Sequence, residues 1–204
     1  MKKRIVVYPR KTKETDITVK LNIDGSGESK INTGIGLLDH MLELFAFHGL
    51  FDLDITAKGD LKVDIHHTNE DIGIVLGGAF NKALGDKKGI KRFGSASIPM
   101  EEITASVALD ISGRGSLKIT LGQPGLGYEA PVSQDGYEIK DAEHFFDAFA
   151  KHLGANLNIK IEPLSKDLHT TLEPVFKALG KALDEATQID PRRKGIPSTK
   201  GIID

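Results

Sequence analysis

The chain carries one pattern twice. Asp64 to Asp71 reads DIHHTNED, and Asp167 to Pro174 reads DLHTTLEP. His40 and His48 stand eight positions apart on one apolar-patterned segment, and His144 and His152 repeat that spacing. A short alternating segment follows each pair, and His66 and His169 then open the two HxxxE stretches. A KAL triplet lies downstream of each, at Lys82–Leu84 and Lys177–Leu179. Internal repetition restricts a chain strongly, because each copy must build the same unit and bury the same face. Two copies of strands plus two helices predict an α+β fold, an internally duplicated two-layer sandwich with pseudo-twofold symmetry. The first pseudo-repeat is placed at residues 1–99 and the second at 100–190. A Gly/Pro/basic tail follows at 191–204.

Local periodicity fills in the elements. TDITVKLNID, from Thr15 to Asp24, alternates apolar and polar residues as a half-buried strand does. FDLDITA from Phe51, Ile98 to Asp110, Ser116 to Leu121 and Asn156 to Glu162 also read as strands. Helical spacing appears over Gly36–His48, His66–Leu84, Asp141–Leu153 and His169–Ala186. Gly122 to Gly136 is rich in Gly and Pro and reads as an exposed loop.

Composition excludes several classes. The 204 residues contain no cysteine, which removes disulfides, thiolate nucleophiles and sulfur-ligated metals and fits a reducing cytoplasm. A net charge of -2 without a basic stripe argues against a nucleic-acid partner. No apolar run approaches the ~20 residues of a membrane span. The basic start MKKRIVVYPRKTKET is not followed by the apolar core of a secretion signal.

The histidines carry the chemistry. His66 and Glu70, like His169 and Glu173, are i, i+4 on a helix and share one ridge, a two-ligand arm for a divalent ion. His67 is turned by ~100° from His66 and so faces a different neighbourhood. The same residues allow plainer roles. His40 can be a hydrogen-bonded core histidine, and His48 or His152 a helix-end residue. Arg92, Arg114, Ser198 and Lys200 are suited to holding a phosphate, although exposed basic residues are commonly only solvated.

The motifs TKET (Thr12–Thr15), LDHM (Leu38–Met41), FHGLFD (Phe47–Asp52) and HHTNED (His66–Asp71) resemble those of imidazoleglycerol-phosphate dehydratases. RFG (Arg92–Gly94), LDISGR (Leu109–Arg114), EHFF (Glu143–Phe146) and PSTKG (Pro197–Gly201) extend the resemblance over nearly the whole chain. It implies halves similar to the second domain of ribosomal protein S5, in a cytoplasmic homo-oligomeric shell of twenty-four subunits with active sites between subunits. It implies two Mn2+ ions held by His40, His66, His67, Glu70, His144, His169 and Glu173. Glu14 becomes the acid/base group, with His48 and Glu173 also at the reacting end and Lys177 near the site. Arg92, Arg114, Ser198 and Lys200 grip the phosphate. The implied reaction dehydrates D-erythro-imidazole glycerol phosphate to imidazole acetol phosphate through an imidazolate-type intermediate, in histidine biosynthesis.

One departure matters. Where the first copy has His67, the second has Thr170. A neutral hydroxyl is a poor ligand beside imidazole, so one of the two metals is expected to lose a protein bond unless water, His152 or another group compensates. A catalytically impaired metal-binding shell protein, or a related lyase on another phosphorylated substrate, are the alternative readings.

Overall fold

A computed structural model describes residues 3–124 and 133–203. Its elements run in two matched series. The first is β1 (Ile5–Lys11), β2 (Thr15–Asn22), β3 (Ser29–Asn32), α1 (Gly36–Gly49), β4 (Asp52–Gly59) and α2 (His66–Leu84). The second is β5 (Phe93–Met100), β6 (Ile103–Asp110), β7 (Ser116–Leu121), then a short hairpin of β8 (Ser133–Gln134) and β9 (Tyr137–Glu138). It continues with α3 (Ile139–Leu153), β10 (Asn156–Glu162) and α4 (Leu168–Thr187).

The sheets share one topology, β1-β2-β4-β3 and β5-β6-β10-β7. In each the first three strands are antiparallel neighbours and the last pair is parallel. Burial follows the pleat, and β2 and β6 show the same alternation along their length. Ile17, Val19 and Leu21 point inward in one half, and Ala105, Val107 and Leu109 in the other. Side chains alternate in a strand, so one face of each sheet packs on helices while the other stays open.

The halves meet helix to helix: α2 lies against α3, and α1 against α4. Phenylalanines fill this seam. Phe45 packs edge-on against Phe80 and Phe149, with centroids 5.9 and 6.4 Å apart. Burying each such ring contributes about 1.5–3 kcal/mol. The two crossings are tight for a shared reason. A Cβ on Gly77 would stand 2.4 Å from the Phe149 carbonyl oxygen, and one on Gly180 would stand 2.5 Å from that of Phe45. Only glycine lets the backbones approach this closely. Gly77 and Gly180 each lie eleven residues after His66 and His169, and Phe45 and Phe149 five after His40 and His144. The duplication thus extends to the contacts that lock the halves together.

The strand pattern departs from the sequence reading in several places. Ile98 to Asp110 is not one strand but the end of β5, a turn with Glu101 at φ 52, and β6. The expected boundary at 99/100 falls inside β5. β1 and β3 were not foreseen. β1 is an edge strand whose inward Val6 and Tyr8 alternate with Ile5 and Val7, apolar but more than half exposed, so its pattern shows no alternation of apolar and polar residues. Of the expected loop 122–136, residues 125–132 lie outside the described residues, and its far end folds into β8 and β9. No helix among the described residues is long and apolar enough to cross a membrane.

Candidate metal centre

Helix crossing brings the predicted histidines into two groups, each drawing on both halves. In the first, His40 of α1 meets His169 and Glu173 of α4. His169 Nε2 lies 2.7 Å and His40 Nε2 3.6 Å from Glu173 Oε2, and the two rings are 4.8 Å apart. One ligand atom from each of the three lies within 4.8 Å of the others. Donors that share an ion at ~2.1 Å stand up to about 4.2 Å apart, so this group is close to ligating geometry. Lys177 Nζ takes the other Glu173 oxygen at 2.5 Å, which leaves Oε2 facing the imidazoles. Burial alone would push the Glu173 carboxyl up. Hydrogen bonds and charge from Lys177 and His169 outweigh it and hold the group below its ordinary value.

The second group is the pseudo-symmetric counterpart. His144 of α3 meets His66 of α2 with their Nδ1 atoms 3.0 Å apart, and His66 Nε2 lies 3.5 Å from Glu70 Oε2. Here His66 uses opposite sides of its ring for its two neighbours, so the donors converge only after the ring turns. Imidazole nitrogen with carboxylate oxygen, and no thiolate, suits a borderline divalent ion such as Mn, Fe, Ni or Zn.

His67 belongs to neither group. Its Nδ1 lies 3.0 Å from Asp60 Oδ2 and 4.0 Å from Glu14 Oε2. A carboxylate only accepts, so Nδ1 carries the hydrogen and Nε2 is left as the acceptor nitrogen. The Asp60 hydrogen bond, with Glu14 and Asp64 nearby, raises the affinity of this ring for a proton. Thr170, its counterpart, turns to Asp167: its N–H and O–H both donate to Asp167 Oδ1, at 2.7 and 2.8 Å. That oxygen caps α4, so the Thr170 hydroxyl is spent on the helix start. His152 takes its partner on its own helix. It lies two turns along α3 from His144, with Nδ1 on the Ala148 carbonyl at 2.9 Å. His48 lies near Lys177 and Lys181, and partial burial followed by those two charges disfavours its protonated form.

The basic set gathers elsewhere. Arg92 clasps Asp110 through Nε at 2.6 Å and donates to the Pro197 carbonyl at 3.0 Å, anchoring the tail that carries Ser198 and Lys200. The Ile111 N–H donates to the Arg92 carbonyl, so the loop bearing Arg114 leaves from the same corner. That corner is far from the first histidine group. The Arg92 N–H donates to the carbonyl of Ala186, thirteen residues beyond Glu173 on α4. At ~1.5 Å per residue this is about 20 Å. No hydrogen bond or ion pair joins the two regions among the described residues.

Sequence reasoning missed Asp60, Asp71 and the Asn69–Tyr137 pair. Asp60 sits at the end of β4, where no periodicity marks it. Tyr137 donates to Asn69 Oδ1 at 2.9 Å, and Asn69 Nδ2 donates to the Asp141 carbonyl at 2.7 Å. Gln134 accepts the His169 N–H at 3.0 Å. The short β8–β9 hairpin therefore touches both HxxxE motifs.

A duplicated α+β fold with paired histidine–carboxylate groups at the seam between its halves is the arrangement of an enzyme with a candidate metal site there. The family model for imidazoleglycerol-phosphate dehydratase matches residues 33–183. The dehydratase of Caldanaerobacter subterraneus subsp. tengcongensis is 54% identical over 197 residues, covering 95% of this chain and 96% of that one. That of Geobacter metallireducens is 50% identical over 198 residues, covering 97% and 98%. The crystal structure of the enzyme from Pyrococcus furiosus superposes with a TM-score of 0.78 at 34% identity, covering 95% of this chain and 99% of that one. The Staphylococcus aureus enzyme gives 0.76 at 33%, covering 91% and 100%. The chain belongs to the imidazoleglycerol-phosphate dehydratase family of hydro-lyases.

Proposed function

We propose that this chain removes water from D-erythro-imidazole glycerol phosphate to give imidazole acetol phosphate, with two Mn2+ ions and within a homo-oligomer. The two matched histidine–carboxylate groups at the seam carry the reading, together with family membership. His40, His169 and Glu173 would hold one ion, and His66, His144 and Glu70 the other, with His67 Nε2 free to serve a site on a neighbouring copy. A bound ion would supply Lewis acidity, favouring loss of the substrate ring's N–H and an electron-rich ring. The electron-rich ring would push out the hydroxyl on its neighbouring carbon, which leaves as water with the proton released from the ring nitrogen. The hydrogen to be removed is not next to a carbonyl, so an electron sink is needed, and the ring that has lost the hydroxyl is that sink. Glu14 takes that proton from the side-chain carbon. Glu14 passes its proton to solvent, the ring nitrogen regains one, and the enol becomes the ketone. Lys177 neutralises the outer oxygen of Glu173, and His48, disfavoured as a cation, stands by as a neutral imidazole.

The phosphate set supports the homo-oligomer. The Arg92 backbone, to which the Ser198–Lys200 tail is tied at Pro197, lies about 20 Å along α4 from Glu173, farther than a three-carbon phosphate ester can bridge. A second copy bringing its own basic corner to this metal group completes the site. The commitment of Thr170 to Asp167 supports a second reading, an impaired assembly with one weakened metal site.

The test is turnover of imidazoleglycerol phosphate by metal-stripped protein titrated with Mn2+, followed by acetol-phosphate formation. Turnover that rises with manganese is the expected result. Folded, assembled protein that is inactive at every manganese level would leave the impaired reading.

A further inference from the structure

We infer that Asp71 is a positioning residue for the proton acceptor: from within α2 it holds the β1–β2 turn so that Glu14 faces His67. The inference rests on the reading of Glu14 as acid/base group. Glu14 is 56% exposed on a hairpin tip, where a long side chain has no packing to direct it. The turn itself is tied down. Asp71 is buried, and each carboxylate oxygen has its own donor from the hairpin: Arg10 Nε at 2.9 Å and the Thr15 hydroxyl at 2.5 Å.

Hydrogen-bond direction then propagates to Glu14. The Thr15 proton goes to Asp71, so Thr15 Oγ accepts from the Thr12 hydroxyl at 3.2 Å. Thr12 Oγ in turn accepts the N–H groups of Glu14 and Thr15, at 3.1 and 3.0 Å. The backbone on both sides of the Glu14 Cα is thereby fixed relative to α2. Asp71 is i+4 from His67, on the same ridge, so a turn docked on Asp71 sets Glu14 over His67. The result is the 4.0 Å approach of Glu14 Oε2 to His67 Nδ1.

The second half lacks this carboxylate. Pro174 occupies the place of Asp71, five residues after the first histidine of its motif. The β5–β6 turn has the same length: Glu101 and Glu102 lie between Met100 and Ile103 as Lys13 and Glu14 lie between the hydrogen-bonded Thr12 and Thr15.

The experiment compares steady-state kinetics of Asp71→Ala, Thr15→Val and Glu14→Gln, and of each of the first two combined with Glu14→Gln, in manganese-loaded protein. Misplacing a reacting group by ~1 Å costs on the order of 100-fold. Asp71→Ala and Thr15→Val are expected to lower kcat by about 10- to 100-fold, with KM and manganese stoichiometry little changed. In the Glu14→Gln background neither should cost anything further. Thr15→Val preserves shape and Arg10–Asp71, so it decides the matter if Asp71→Ala folds poorly. Wild-type kcat in Thr15→Val overturns the proposal, as does an equal further loss in the Glu14→Gln background. Wild-type kcat in Glu14→Gln itself removes the acid/base assignment and this inference with it, while leaving the dehydratase reading to the turnover assay.

Discussion

Thr170 donates both its N–H and its O–H to a single oxygen of Asp167, at 2.7 and 2.8 Å. The counterpart pair in the first half behaves differently: Asp64 accepts the N–H of His66 at 2.9 Å, and His67 is left free to meet Asp60. Burial opposes ionisation of Asp167, but the Thr170 hydrogen bonds, with His169 and Lys166 nearby, keep its carboxyl below the ordinary value. The threonine thus strengthens a helix start at the expense of an imidazole.

Thr170→Ala is therefore expected to cost stability and not metal. It removes one charge-assisted bond but keeps the backbone cap, a loss of about 0.5–1.5 kcal/mol in chemical denaturation. Thr170→His should do the opposite, tightening the weaker of two manganese-binding steps in a calorimetric titration. Unchanged binding in Thr170→His would mean that this position does not face a metal in the assembly.

Much of this was legible in the chain. The equal spacing of His40/His48 and His144/His152 and the two HxxxE arms gave the duplication. It also gave the residues that meet at the seam, because helical ridges follow from spacing alone. What spacing could not give is which helices cross. His66 meets His144 and His40 meets His169 because Gly77 and Gly180 admit a backbone, and that is a three-dimensional fact. Asp60 was invisible because it sits at a strand end. β1 was missed because apolar Ile5 and Val7 on its exposed face hide the alternation with inward Val6 and Tyr8, and the β5–β6 turn because Glu101 takes a positive φ without a glycine to announce it.

Asp60 is expected to act on the metal through His67. Its hydrogen bond fixes which ring nitrogen is free, and such outer carboxylates typically contribute 10- to 100-fold to metal affinity. Asp60→Ala should weaken one class of manganese site by about that factor, read by equilibrium dialysis, and leave the other class alone. Truncating His67 should show the same asymmetry. Equal weakening of both classes would show that His67 is not confined to one site.

Acid stability should depend on Asp52. It accepts the Ser26 N–H at 2.7 Å and Asn22 Nδ2 at 2.9 Å, pinning the 22–28 segment to β4. The Ser26 backbone bond is the main cause that holds its carboxyl below 3.8, with burial opposing. A depressed folded value stabilises the fold above the unfolded value, and the contribution is lost as pH falls through the folded one. Denaturation midpoints should fall as pH drops below about 4, and Asp52→Asn should lower stability at neutral pH while flattening that fall. Asp24, held down chiefly by its hydrogen bond to Arg4, adds a slope of the same sign, so the flattening is partial.

Gly77→Ala and Gly180→Ala test the seam itself. Alanine improves helix propensity by about 1 kcal/mol. Against this, each new Cβ meets a backbone carbonyl at 2.4 or 2.5 Å, and a backbone cannot swing away as a side chain can. Overpacking of this kind costs about 1–3 kcal/mol, so net destabilisation is expected at both positions. Gly36→Ala serves as the comparison. It lies in the first turn of α1 with nothing within 4 Å of its Cβ, so it should be neutral or stabilising by up to about 1 kcal/mol. The two seam variants should also divide by metal group. Gly77→Ala pushes α2 from α3 and should loosen binding at His66 and His144, whereas Gly180→Ala pushes α4 from α1 and should loosen it at His40 and His169. Manganese titration of each variant, with Glu70→Gln and Glu173→Gln marking the two groups, reads this out. Each glycine variant should lose the same binding step as the glutamate variant of its own helix; loss of both steps in either would show that the halves move as one body.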